Sequence, residues 1–271
     1  MNLEPYYPFS DRTLVYQSSK DIIDQIDGIV TTFLLALLNQ YQFKIGNLSN
    51  TSIHEIFTSP VDWWEDSWMT ERNKRGVWNL RYYTTEDEFA LANILLYKKL
   101  PYSQVIHVHC DDNLTQNILS SSLYNEFIEK FEVGQEGSVY KEVFKNIFYG
   151  FEGIWEENFK HLQTTFFGEE NRLAARVLTN ESLEKLSTLI SQTNPKQVLI
   201  STKEIQLLSK LRSGFPDVKF LHITDITNEN YTETVLSTIK LFYELMLFID
   251  TDNKFLEEDD KFSDIVRNCE N

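Results

Sequence analysis

The sequence predicts an α/β protein of two lobes facing a cleft, each lobe a parallel sheet flanked by helices. Three observations predict it. Residues 12–45, RTLVYQSSKDIIDQIDGIVTTFLLALLNQYQFKI, read as a strand, a polar turn, a long apolar-faced helix and a second strand, the order of a βαβ unit. From 172 onward strand and helix alternate strictly: RLAARVLT, ESLEKLSTLISQT, KQVLIST, EIQLLSKLRSG, VKFLHIT. Between these two stretches lie long helices with no strand to interrupt them, so a boundary falls near 159–168. The expected lobes are 1–165, carrying a helical linker, and 166–271.

In the opening helix, apolar residues at 22, 26, 29, 33 and 37, flanked by 23, 30, 34 and 38, keep helical spacing over a wide stripe, which predicts a helix buried on most of its surface. The preceding turn, 17–26, follows the carboxyl end of a strand and is the first place to seek function. A short helix over 52–57 and an aromatic loop, VDWWEDSWMTERNKRG, come next, then a strand over 77–83 and a helix over 86–100 stopped by Pro101. The segment QVIHVHC alternates as a pleated strand does. Two helices follow, over 113–131 and 138–159, parted by Gly134 and Gly137. After the alternating second stretch, a long helix runs over 231–249 and a terminal one over 262–269.

Composition narrows the function. With 271 residues, 42% of them apolar and 14% aromatic, the chain buries a sizeable core without staples. Its 25 basic against 41 acidic residues, net −16, argue against nucleic acid, and an anionic ligand needs a local basic pocket against that background. Cys110 and Cys269, far apart, form neither a disulfide framework nor a zinc site, and suit a reduced, cytoplasmic protein. No basic start precedes an apolar run, and no run of about 18 apolar residues predicts a signal peptide or membrane span. G-x-S-x-G, G-K-[ST] and G-x-G-x-x-G are all absent.

The helix Asp27-Gly28-Ile29-Val30-Thr31-Thr32-Phe33-Leu34-Leu35-Ala36-Leu37-Leu38 resembles one that opens the fucosyltransferases, most of all the branch holding the α-1,2 enzymes of plants and bacteria. The stretch EKFEVGQEGSVYKEVFKNIFYG resembles the same family's linker, and 173–266 its second lobe. The resemblance implies two Rossmann-like lobes of GT-B glycosyltransferase architecture and transfer of fucose from GDP-fucose to a carbohydrate hydroxyl, with inversion, no metal and no further cofactor. The departures are specific. Where members carry glycines and an arginine in the first turn, this chain has Asp21-Ile22-Ile23-Asp24-Gln25; Ile closes such a loop and the aspartates repel an anion. Thr202-Lys203 and Lys261 replace other family residues. A catalytically inactive relative that binds a glycan or scaffolds a partner therefore stands beside the enzyme reading, as does an enzyme with another donor nucleotide.

By that resemblance, Arg176 at a strand end holds the leaving diphosphate and Phe262 and Ser263 receive phosphate at a helix N-terminus, while Thr202 and Lys203, where the family differs, place a second cation at the neighbouring strand end. Arg176 reads equally as a surface arginine at a strand end paired with Glu181 or another carboxylate, Lys203 as a helix-flanking lysine, and Phe262-Ser263 as an ordinary helix start. Asp259 and Asp260 compete for the same donors as an anion. Trp63, Trp64 and Trp68 have the composition of a sugar platform, with Glu65 or Asp62 as general base, or else they close the lobe. His107 and His109, two apart on a strand, face an acceptor or are simply satisfied by neighbours; no third ligand makes them a zinc site.

Overall fold

The computed structural model describes residues 13–18, 20–46, 56–58, 105–120, 122, 125–130, 132, 138–148, 150–168, 170–223 and 231–270. The aromatic loop, the strand expected over 77–83, the helix over 86–100 and the break at Gly134 and Gly137 lie outside them. Two compact units result, one drawn from Met1–Gly150 with Asn268–Asn271, the other Phe151–Arg267.

In the first unit, β1 (Thr13–Tyr16), α1 (Ile22–Asn39) and β2 (Gln42–Ile45) form the expected βαβ unit, β1 and β2 pairing in parallel. A two-residue strand, β3 (Phe57–Thr58), follows, so Phe57 does not end a helix over 52–57. β4 (Val105–Val108) pairs in parallel on the other side of β1, giving the order β2-β1-β4. α1 is buried from residue 25 through 38, as its stripe predicts, with Phe33 edge-on to Phe43 at 5.3 Å between centroids. By length and composition α1 is apolar enough to cross a bilayer, contrary to the expectation of no such segment; 78% of that stretch is buried inside the protein, as a core helix is.

The single helix expected over 113–131 is two, α2 (Thr115–Leu119) and α3 (Asn125–Lys130). At the end of α2 the Ser120 hydroxyl competes for the helix carbonyls, donating to Asn117 at 2.9 Å. The helix over 138–159 is also two. α4 (Val139–Ile147) is capped by Ser138 and packs on α1, where the Tyr140 hydroxyl donates to buried Asp27 at 2.5 Å. A two-residue strand, β5 (Gly150–Phe151), then precedes α5 (Ile154–Phe167). Gly153, at φ 55° and ψ −124°, adopts a backbone conformation that side chains strain against, which ends any continuous helix there.

The second unit alternates as expected: β6 (Arg172–Arg176), α6 (Asn180–Thr193), β7 (Gln197–Ser201), α7 (Ile205–Gly214), β8 (Lys219–His222) and α8 (Glu233–Ile249). Thr179 and Ser182 close a reciprocal capping box on α6. β9 (Lys254–Phe255), which the sequence pattern did not reveal, then pairs with β6, and α9 (Lys261–Asn268) follows. All pairs are parallel, in the order β8-β7-β6-β9. Leu173, Ala175, Val198 and Ile200 join Leu186, Ile190, Leu207 and Leu211 in the core beneath α6 and α7. α8 is anchored to α5 by the Tyr243 hydroxyl, which donates to the Trp155 carbonyl at 2.6 Å.

Candidate functional site

Strand pleat decides what reaches the site. Since Leu173, Ala175 and Val177 of the β6 run and Val198 and Ile200 of β7 face α6 and α7, the alternate residues Arg176 and Ser201 point to the opposite face. There they meet α8 and α9. The connections step outward from β6 to β7 to β8, and the chain then returns to the other flank of β6 for β9. Direction thus reverses between β6 and β9, and open parallel sheets take ligands outside the carboxyl ends of strands at such a switch point.

Arg176, the last residue of β6, is paired in register with Ser201 and only 7% exposed. It is not a surface residue, and the carboxylate it pairs with is Asp260 rather than Glu181, which pairs with Lys185 at 2.8 Å. Its Nε and Nη2 donate to Asp260 Oδ2 and Oδ1 at 3.1 and 3.3 Å, and its Nη1 to Ser201 Oγ at 2.7 Å. The guanidinium lies 4.7 Å over the Phe262 ring, which packs edge-on to Phe248. Among the described residues these bonds leave one N–H on each Nη.

Asp260 also caps α9: its Oδ2 accepts from the Ser263 backbone N–H and hydroxyl, both at 3.1 Å. Ser201 in turn donates to Glu244 Oε2 at 2.5 Å. Glu244 sits in the buried run of α8 and is 5% exposed, and its Oε1 has no partner among the described residues. Burial pushes the Glu244 carboxyl up, against the Ser201 bond and the charges of Lys240 and Arg176, which pull it down. The site is therefore a cation held between two acids, one direct and one through a hydroxyl.

Arg176, Phe262 and Ser263 thus come together at the switch point. Thr202, next to Ser201 in sequence, is buried, its hydroxyl accepting from the Glu204 N–H at 3.1 Å and its carbonyl 3.2 Å from His222 Nε2. Lys203 is exposed. Glu65, Trp63, Trp64 and Trp68 lie outside the described residues. β4 ends at Val108, so His107 is in the strand opposite Val15 while half-buried His109 lies on the turn beyond it. Pattern reading missed Ser201 and Glu244; the signal for the latter was an acid inside the apolar run LFYELMLFI.

In the first unit, the turn after β1 is tied to the turn after β4. The Tyr16 hydroxyl donates to Asp111 Oδ1 at 2.5 Å, and Lys20 Nζ lies 3.1 Å from Asp111 Oδ2. Burial, then Asp111, raises the Tyr16 phenol well above its ordinary range. Gln25 reaches back to the Lys20 carbonyl. Lys20, the one cation of that turn, is thus paired with an acid. No group of three His, Cys, Asp or Glu that could hold a metal occurs among the described residues.

No family model matches the chain, and no curated protein matches it. Solved structures do. A point mutant of Arabidopsis thaliana FUT1 in complex with GDP superposes with a TM-score of 0.72 at 10% identity, over 97% of this chain and 69% of that one. Fucosyltransferase NodZ from Bradyrhizobium gives 0.61 at 12%, over 94% and 92%, and NodZ alpha-1,6-fucosyltransferase soaked with GDP-fucose gives 0.60 at 12%, over 95% and 92%. At these identities the likeness establishes the fold. The chain has the GT-B fold of the fucosyltransferases, α/β with parallel sheets flanked by helices, as the sequence predicts.

Proposed function

We propose that this chain is a glycosyltransferase of the fucosyltransferase type, moving fucose or a related sugar from a GDP-sugar to a carbohydrate hydroxyl. The observation that carries the reading is Arg176 at the switch point of the second sheet, against the N-terminus of α9. A guanidinium with an N–H left on each Nη among the described residues, beside helix N–H groups, suits a pyrophosphate leaving group. The solved neighbours with GDP or GDP-fucose support the donor. Residues 166–271 take the donor, through Arg176, Thr202, Lys203, Phe262 and Ser263. Residues 1–165 take the acceptor, through Trp63, Trp64, Trp68, His107 and His109. Within the fucosyltransferases the chain resembles most the α-1,2 branch, and Cys110 and Cys269, both buried and in no disulfide, suit a cytoplasmic setting.

In the proposed reaction the acceptor oxygen attacks the anomeric carbon as its bond to the phosphate oxygen breaks, inverting that carbon. The acceptor proton passes to Glu65. The electron pair of the broken bond leaves with GDP, whose charge Arg176 stabilises; no metal takes part.

A second reading rests on one observation: Asp260 already holds Arg176 with both oxygens. A relative that has exchanged phosphate for its own carboxylate would bind a glycan or a partner and turn over no donor. Calorimetry with GDP separates the two. The enzyme reading expects binding, weakened by about a hundredfold in Arg176→Ala and in the charge-retaining Arg176→Lys, with donor hydrolysis lost in both. Absence of GDP binding at millimolar concentration leaves the second reading. A thermal-shift panel of other nucleotides checks for a different donor.

A further inference from the structure

We propose that Asp260 is a built-in stand-in for the ligand's phosphate, which a diphosphate must displace, while Ser201 and Glu244 hold Arg176 in place during the exchange. This rests on the donor reading above and assigns the residue that sets the site's affinity.

The two acids around Arg176 are built differently. Asp260 presents two oxygens to the guanidinium fork and a shared one to the Ser263 N–H and hydroxyl. A terminal phosphate, with several oxygens of like charge, takes this same donor set: a planar fork plus a helix N-terminus. Asp260 belongs to the segment between β9 and α9, follows exposed Glu258 and Asp259, and its side chain is more exposed than that of Arg176, 13% against 9%. Rotation of one side chain would carry it toward solvent without moving a strand or a helix.

The other half is fixed. Ser201 lies in β7 with its side chain fully buried, and Glu244 in the apolar run of α8. Their chain of bonds, Arg176 to Ser201 to Glu244, ties Nη1 to the sheet, and the Phe262 ring closes one face of the guanidinium. When Asp260 leaves, Arg176 is still aimed at the place Asp260 filled. Glu244 Oε1, buried and unpartnered among the described residues, marks this inner acid as one aimed at the cluster rather than satisfied elsewhere.

The test is titration of inorganic pyrophosphate and of GDP into the full chain and into Asp260→Asn, each followed by calorimetry and thermal melting. Asparagine keeps the α9 cap and removes the charge. The expected result is tightening of both ligands by about tenfold or more in the variant, with a larger rise in Tm on adding pyrophosphate than the wild type shows. Asp260→Ser, which still caps the helix but is too short to fork, serves if the asparagine variant does not fold. Tightened pyrophosphate with no GDP binding and no donor hydrolysis in any protein upholds the exchange and rejects the donor reading. GDP bound equally or more weakly by the variants upholds the donor reading and overturns the exchange. No binding of either anion by any of the proteins overturns both.

Discussion

Glu244 is the residue of the cluster whose chemistry burial perturbs most plainly. Its carboxyl sits in α8 among buried Tyr243, Leu245 and Leu247, and burial outweighs the Ser201 bond and the Lys240 and Arg176 charges in pushing its pKa up. A carboxyl raised on folding holds its proton in the native state at pH values where the unfolded chain has released it. Its contribution is then fully present below the ordinary carboxylate range and is lost as pH rises through the raised native value. Urea melts of the wild type are expected to lose stability over that window, by at most about 1.4 kcal/mol per pH unit from this one proton. In Glu244→Gln, whose amide still accepts from Ser201, that slope disappears and stability above the window equals or exceeds the wild type's. An unchanged slope in the variant would assign the loss to other groups. Arg176 is the counterpart case: buried and forked on Asp260, it is expensive to desolvate and tolerated because its bonds are made.

At the scale of elements, close approach decides where glycine is required. Gly28 in the middle of α1 lies so near the turn after β4 that a Cβ there would stand 1.8 Å from the Cys110 carbonyl oxygen and 2.6 Å from the Tyr16 ring. Gly28→Ala forces helix and turn apart, and an expected loss of about 3 kcal/mol in chemical denaturation checks it; a loss under about 0.5 kcal/mol would mean α1 shifts freely. Gly28 was legible from the sequence as part of a helix pattern, though its packing role was not. Most long elements were legible for the same reason: α1 and the strands and helices from β6 to α8 carry unbroken periodicity, and α6 and α8 begin at side-chain caps, Thr179 with Ser182 and Thr232. What failed was local. β9 is two residues among acids and has no period to detect, yet it creates the switch point. Gly150 and Gly153 lie inside the single helix expected over 138–159, and β5 and the positive φ of Gly153 divide it there. In the site, Arg176, Phe262 and Ser263 were found through resemblance and position, whereas Ser201 and Glu244 are brought there by pleat and helix packing, which no linear spacing encodes.

For the molecule as a whole, charge governs how an anionic ligand arrives. The chain carries net −16, and the one guanidinium at the switch point is already paired with Asp260, which follows Glu257, Glu258 and Asp259 in sequence. On the donor reading and the proposed exchange, this charge repels an approaching GDP at long range, and attraction follows only once Asp260 moves. Exposed charges farther apart than about 10 Å at 0.1 M salt are screened, while the buried contacts made after docking are screened far less. Most anion-binding proteins lose on-rate as salt rises; on the donor reading this one gains it. Stopped-flow association of GDP is expected to accelerate by roughly threefold between low and physiological ionic strength. Asp260→Asn should associate faster at low salt and show a flatter dependence, since it removes the nearest repelling charge. A rate that falls with salt in the wild type would locate a net positive entrance, and the acidic surface would then have no part in controlling access.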